Sequence, residues 1–193
     1  MTTEENSADP IDCSDPAIVA KYESYLRMLA QTQMRRKLQA KYGASDIVQQ
    51  TMLQAVQALD GFRGENEAQF RKWLRQILSH HLCHLDRDMH RDKRDVRREQ
   101  SMEDKLAKSS MRLEGLLQGD VARPSQNVMQ GEAVIALCQA IDRLPNEQAE
   151  AVRMHYLDEM KVSEVAEAMD KTTAAVAGLL HRGVKTLRRM VEN

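Results

Sequence analysis

Apolar positions along this chain recur at intervals of three and four, and no β-branched run alternates with period two. The pattern predicts helices throughout. A first helical stripe begins near Ala17, runs through Tyr22, Tyr25, Leu26, Leu29 and Met34, and stops near Gly43, a plausible C-cap. Ser45 then caps a second helix, with Asp46 favourable in its first turn. Its apolar face is Val48, Met52, Ala55, Val56 and Leu59, and Asp46, Gln49, Gln50, Gln54 and Gln57 look outward. Asp60, Gly61 and Gly64 mark a loop. The longest helix follows over 67–98, with Leu74, Ile77, Leu78, Leu85 and Met89 inward and Arg87, Arg91, Arg94 and Arg98 sharing one face.

Over 99–130 the period weakens. Ser, Gly, Lys and Gln dominate, and Pro124 interrupts. Such a stretch is too long for a loop inside a compact domain. It is expected to be a linker carrying one short helix over 102–117, with a second domain beyond it. There Val134, Leu137, Cys138, Ile141 and Leu144 form a stripe that Pro145 ends, and Ala149, Val152, Tyr156 and Leu157 continue the pattern. The fold class expected is all-α: two small helical domains joined by a linker.

The segment 163–189 reads as helix, tight turn and helix with a basic end, the outline of a helix-turn-helix that sets its second helix in a DNA major groove. Ser163 caps the first motif helix and Thr172 or Thr173 the second. Val165, Ala166 and Met169 face inward from the first; Ala175 or Val176, Leu179 and Leu180 do so from the second. Thr173, Ala174 and Ala177 lie outward near the second helix start, followed by His181, Arg182, Lys185, Arg188 and Arg189. Asp170 holds the turn, since Asp tolerates a left-handed conformation better than most residues. Gly178 is a poor interior helix residue, costing about 0.8–1.0 kcal/mol against Ala.

Charge sharpens this reading. The formal net charge is −1, yet 71–98 carries nine Lys or Arg against four Asp, and 178–193 four against one Glu. Two separated basic elements suit a phosphate backbone. The first 20 residues hold five acidic residues and no Lys or Arg. This acidic start is no signal peptide, and no apolar run approaches the roughly 20 residues a membrane span needs. Three scattered cysteines suggest no disulfide framework, and with it a cytoplasmic location.

The run EVAEAM…AAVAGLLHRGVKTLRR resembles the promoter-reading region of bacterial sigma factors, and AIDRLPNEQAEAVRMHYLDEM the helices that introduce it. Upstream, SDIVQQTMLQAVQALDGFRG resembles the polymerase-binding helix of sigma region two, and FRKWLRQILSHHLCHLDRDMHR its promoter-melting helix. The order and the short linker are those of the extracytoplasmic-function group, over roughly 20–98 and 132–190.

That resemblance implies a disordered acidic tail over 1–16, region two over 17–98, a linker over 99–131 and region four over 132–193. Asp46, Gln49, Gln50 and Leu53 then match the surface that docks on core RNA polymerase. Phe62, Arg63, Gly64, Glu65 and Asn66 match the pocket for an extruded base, His80 faces the upstream promoter edge, and Arg87 and Arg91 hold phosphates. Thr173, Ala174, Ala177, His181, Arg182 and Lys185 match the reader of duplex promoter DNA, with Arg182 and Lys185 gripping phosphates. Trp73 fits either core packing or base stacking. The implied partners are core RNA polymerase and promoter DNA, with an anti-sigma factor a further candidate; no membrane, cofactor or catalytic residue of its own is implied. His80, Cys83 and His84 share residue types with zinc sites, but a structural zinc needs four ligands and no second pair is evident. The alternative is a helix-turn-helix regulator that acts without polymerase docking.

Overall fold

The computed structural model describes residues 15–34, 43–90, 96–121 and 130–191, and among them it contains helices and turns but no strand. The Asp15 carboxylate accepts the Ala17 N–H at 2.8 Å and caps a 3₁₀ turn, Pro16–Tyr22. The turn runs into α1 (Glu23–Gln33), which ends as Met34 turns extended, well before Gly43. Residues 35–42 lie outside the description, as does the expected tail over 1–14. Gly43 starts α2 (Ala44–Ala58) rather than ending α1. Its carbonyl accepts the Asp46 N–H at 3.0 Å, so Ser45 sits inside the first turn and is not the cap. The buried stripe of α2 is Ile47, Val48, Thr51 and Ala55. Val56, expected inward, lies one step of about 100° past Ala55 and is exposed.

Helix α3 is described over Glu67–His90 and α4 over Val96–Leu116; residues 91–95, within the helix expected over 67–98, lie outside the described residues. The short helix expected over 102–117 is thus present and begins six residues earlier, at Val96. It continues into a π turn, Leu117–Val121. Leu106, Leu113, Leu116, Leu117 and Val121 are all buried. The stripe was hard to see because Ser109 and Ser110 lie on it, also buried. Hydrogen bonding makes them acceptable there. Ser110 accepts the Tyr25 hydroxyl at 3.0 Å, and Ser109 meets Thr32 at 3.3 Å and the Gln33 amide at 3.2 Å. All three partners stand on α1.

The C-terminal part comprises α5 (Gln130–Asp142), α6 (Asn146–Val152) with a π turn Arg153–Leu157, α7 (Val162–Ala168) and α8 (Thr173–Val191). The stripe Val134, Leu137, Cys138, Ile141 and Leu144 is buried as its spacing predicts. Pro145 caps α6, its carbonyl accepting the Gln148 and Ala149 N–H groups at 2.8 and 3.0 Å. Helix α1 packs on α2, α3, α4 and α5, and α8 packs on α5, α6, α7 and the turn after α4. One continuous apolar core runs through both helical units, from Val19 to Leu187.

Candidate nucleic-acid interface

The turn between α7 and α8 is closed by backbone chemistry. Asp170 has φ +53°, left-handed. The Lys171 N–H reaches the Ala166 carbonyl at 2.9 Å, and the Asp170 N–H reaches Glu167 at 3.3 Å. This is a Schellman closure with Asp in the position glycine usually fills. The start of α7 is fixed by Glu164, whose carboxylate accepts the Lys161 N–H at 2.7 Å. Ser163 lies inside α7 and is not its cap. At α8, Thr172 is the capping Thr: its hydroxyl accepts the Ala175 N–H at 3.2 Å.

Val176, Leu179, Leu180, Gly183 and Leu187 bury the inner face of α8; of the two alternatives, Val176 is inward and Ala175 exposed. Gly183 was not foreseen. A Cβ there would stand 3.1 Å from a Val152 methyl, so its absence lets α8 approach α6 closely. Its place in a spacing of three and four between Val176 and Leu187 is the signal that could have marked it. The opposite face exposes Thr173, Ala174, Ala177, His181, Arg182 and Lys185 together. Arg188, in contrast, donates to the Asp120 carbonyl and ties α8 to the turn after α4.

At the other end, the loop before α3 is rigidly built. The Phe62 ring lies edge-on to Phe70 at 5.2 Å and 5.2 Å from Trp73, and Phe70 meets Tyr22 at 5.1 Å. Gly64 sits under that ring, where any Cβ would collide with it. Phe62 therefore packs the loop onto the core. Trp73, half-buried in the same cluster, takes the packing alternative. The Asn66 side chain accepts the Gln69 N–H at 3.0 Å, and the Gln69 side chain accepts the Glu65 N–H at 2.8 Å, so Asn66 caps α3. Arg63 is exposed and donates to the carbonyls of Asp60 and Phe62.

His80 stands on α3 with Nδ1 3.8 Å from a Glu99 carboxylate oxygen at the start of α4. Burial, with His80 and His84 nearby, holds the His81 pKa below the usual histidine range. Cys83 is buried and His84 exposed. Among the described residues no group of three His, Cys, Asp or Glu side chains is arranged to hold a metal. The Arg87 side chain and Arg91 lie outside the described residues.

On α2, Asp46, Gln49, Gln50 and Leu53 are all exposed and follow one another at helical spacing on one face. Leu53 is 60% exposed, a large apolar side chain amid polar ones. That is the composition of a surface a partner covers.

Two family models match the chain: sigma-70 region 2 over 21–94, and sigma-70 region 4 over 135–187. The chain belongs to the sigma-70 family. It has the two-region arrangement of the extracytoplasmic-function type. It is also similar to the ECF RNA polymerase sigma factor BldN of Streptomyces coelicolor, 34% identical over 68 residues. That match spans 35% of this chain and about a quarter (26%) of the length of that relative. Region two thus takes in α1, α2 and α3, and region four most of α5 with α6, α7 and α8. Helix α4 falls between the matched spans. It meets region two through Ser109 and Ser110 and region four through Arg112, which donates to the Leu157 carbonyl at 2.7 Å and to Glu159, itself left-handed at φ +57°. No sequence pattern announced that clamp. Among the described residues no helix is long and apolar enough to cross a membrane.

Proposed function

We propose that this chain binds core RNA polymerase through α2, reads duplex promoter DNA with α8 and assists strand opening with the loop before α3 and the following helix. The chain contributes no catalytic group; nucleotide addition belongs to the polymerase. The observation that carries this reading is the exposed stripe of α8, Thr173 to Lys185, on a turn closed by Asp170 and Thr172. A helix held this way presents its first turns to base edges. The exposed Asp46, Gln49, Gln50 and Leu53 supply a second surface with the character of a protein interface. Because Phe62 and Asn66 are engaged in packing and capping, the loop offers exposed Arg63 and backbone to a strand, and His80 continues that face along α3. The promoter-reading unit is assigned to 132–193 and the docking and opening unit to 17–98. Helix α4 is a packed strut across the stretch between them.

The test is reconstitution of the full chain with core polymerase, followed by sequencing of transcript starts. A distinct set of starts that depends on the chain is expected. Asp46→Lys combined with Gln50→Glu should weaken polymerase binding at least about tenfold with helical content unchanged, the scale of losing a buried polar contact. Undiminished affinity in a pull-down titration removes α2 from the account. DNA binding without any association with polymerase would make the chain a regulator of the other kind.

A further inference from the structure

Three nitrogen-bearing side chains of α3 are taken up by α4 and its partners. Arg71 is buried and donates through Nη1 to the Glu114 carboxylate of α4 at 2.9 Å. One turn on, Arg75 donates through Nη1 to the Tyr25 hydroxyl at 3.0 Å, and that hydroxyl donates to Ser110 of α4. Further along, His80 faces Glu99 at the start of α4. The two arginines are poorly served by this arrangement. Their Nε atoms are buried and make no hydrogen bond, and Arg71 Nε stands 3.8 Å from Glu67. A buried donor left unpaired is costly. Phosphate suits a guanidinium better, because it accepts two parallel N–H bonds at once.

We propose that α4 competes with the separated DNA strand for α3. In the free chain it covers Arg71, Arg75 and His80; promoter opening requires it to lift away and let the strand's phosphates take its place. The proposal rests on α3 being the strand-facing helix of the proposed function. Docking on polymerase does not need the release, because Asp46, Gln49, Gln50 and Leu53 are exposed with α4 in place. The cover has a use. Phosphate contacts carry no sequence information, so a face left open would hold any single strand it met.

The test locks α4 down. The hydroxyl oxygens of Thr32 on α1 and Ser109 on α4 are 3.3 Å apart. Thr32→Cys with Ser109→Cys therefore brings two thiols within disulfide reach. Cys13→Ser is added, and Cys83 and Cys138 are buried. The full chain is oxidised before core polymerase is added. It should then bind polymerase as wild type does, while permanganate-reactive thymines at the promoter fall to the level seen without the chain. Dithiothreitol should restore them. A second measurement needs no crosslink. Glu99→Gln with Glu114→Gln should raise binding of the free chain to a fluorescent single-stranded oligonucleotide by about fivefold, the scale of one partly exposed ion pair. Glu103→Gln with Asp104→Asn makes the same charge change on the same helix and should not. No gain, or equal gains from the two pairs, would overturn the proposal. So would full opening by the oxidised chain, or loss of its polymerase binding, which would place the gate at docking. Failure of the wild-type chain to open any promoter would instead refute the proposed function, and this proposal with it.

Discussion

Leu113→Ala separates a packed α4 from a flexible connection. Leu113 is 0% exposed and sits in the last turn of α4, with Leu106 and Leu116 on the same stripe. Truncating a buried leucine removes its transfer free energy and leaves a cavity, for a cost of about 2–5 kcal/mol. In a chain of this size, about 3 kcal/mol lowers Tm by roughly 6–12 °C. Met111, two residues away, is 68% exposed. Met111→Ala should change stability by under about 0.5 kcal/mol, as surface substitutions do. Both variants keep a good helix former, so propensity is not what distinguishes them. The assay is urea unfolding followed by circular dichroism at equal protein concentration. If Leu113→Ala costs no more than Met111→Ala, α4 does not belong to the core and the strut assignment fails.

Gly183→Val should destabilise by about 1–3 kcal/mol through overpacking against Val152, 3.1 Å from the added Cβ; an unchanged urea midpoint would mean that α8 and α6 do not approach as described. His80→Ala with Arg87→Ala and Arg91→Ala should reduce permanganate-reactive thymines at the promoter more than polymerase binding, and equal opening by wild type would reject that face. Burial raises the Glu67 pKa above the ordinary glutamate range, with Arg71 opposing and Glu132 adding to it. A carboxyl with a raised folded pKa adds stability at pH below its unfolded value and loses it as pH rises through the folded value. Glu67→Gln should therefore gain on wild type from about pH 4 toward pH 7, and a pH-independent gap between their urea midpoints would refute this. Raising salt should weaken promoter binding steeply while moving the urea midpoint little; a midpoint that falls in parallel would contradict an apolar junction between the two regions.

Legibility in the sequence followed how locally each feature is encoded. The inward stripes of α5 and α8, the exposed stripe of α2 and the left-handed Asp170 depend on neighbours three to five residues away, so spacing alone reached them. The buried face of α4 did not register because Ser109 and Ser110 interrupt its leucines. Their satisfaction comes from Tyr25, Thr32 and Gln33, about 80 positions distant in sequence. Helix starts failed for a related reason. Ser45 and Ser163 are good capping residues by type, but a cap belongs to whichever residue precedes the first helical turn. Gly43 and Lys161 took that position, with backbone and Glu164 supplying the hydrogen bonds. Phe62 is expected from the resemblance to line a base pocket; its contacts with the Phe70 and Trp73 rings, eight and eleven positions along, are set by the packing of the loop on α3 and were not legible in spacing.

The two regions are held by forces of unequal size. Among their polar links are Arg27 to Asp142 at 3.2 Å, and Arg112 of the intervening helix to Glu159 and the Leu157 carbonyl. The Arg27–Asp142 and Arg112–Glu159 ion pairs are partly open to solvent, and such pairs contribute about 0–1 kcal/mol each. Buried leucines of α4 contribute about 1.5–3 kcal/mol apiece, and several line one helix. Cohesion therefore resides in the apolar stripe, and the ion pairs fix orientation. Arg112 adds something an apolar contact cannot: it satisfies a carbonyl at the end of the π turn Arg153–Leu157, which introduces the α7–α8 motif. On the opposite side, Arg188 ties α8 to Asp120, at the end of the same strut. Helix α8 is thus positioned by α4 and the turn after it at two points, through Leu157 before the motif and Asp120 beside it. The orientation of its exposed stripe is consequently set by a helix that neither family model covers.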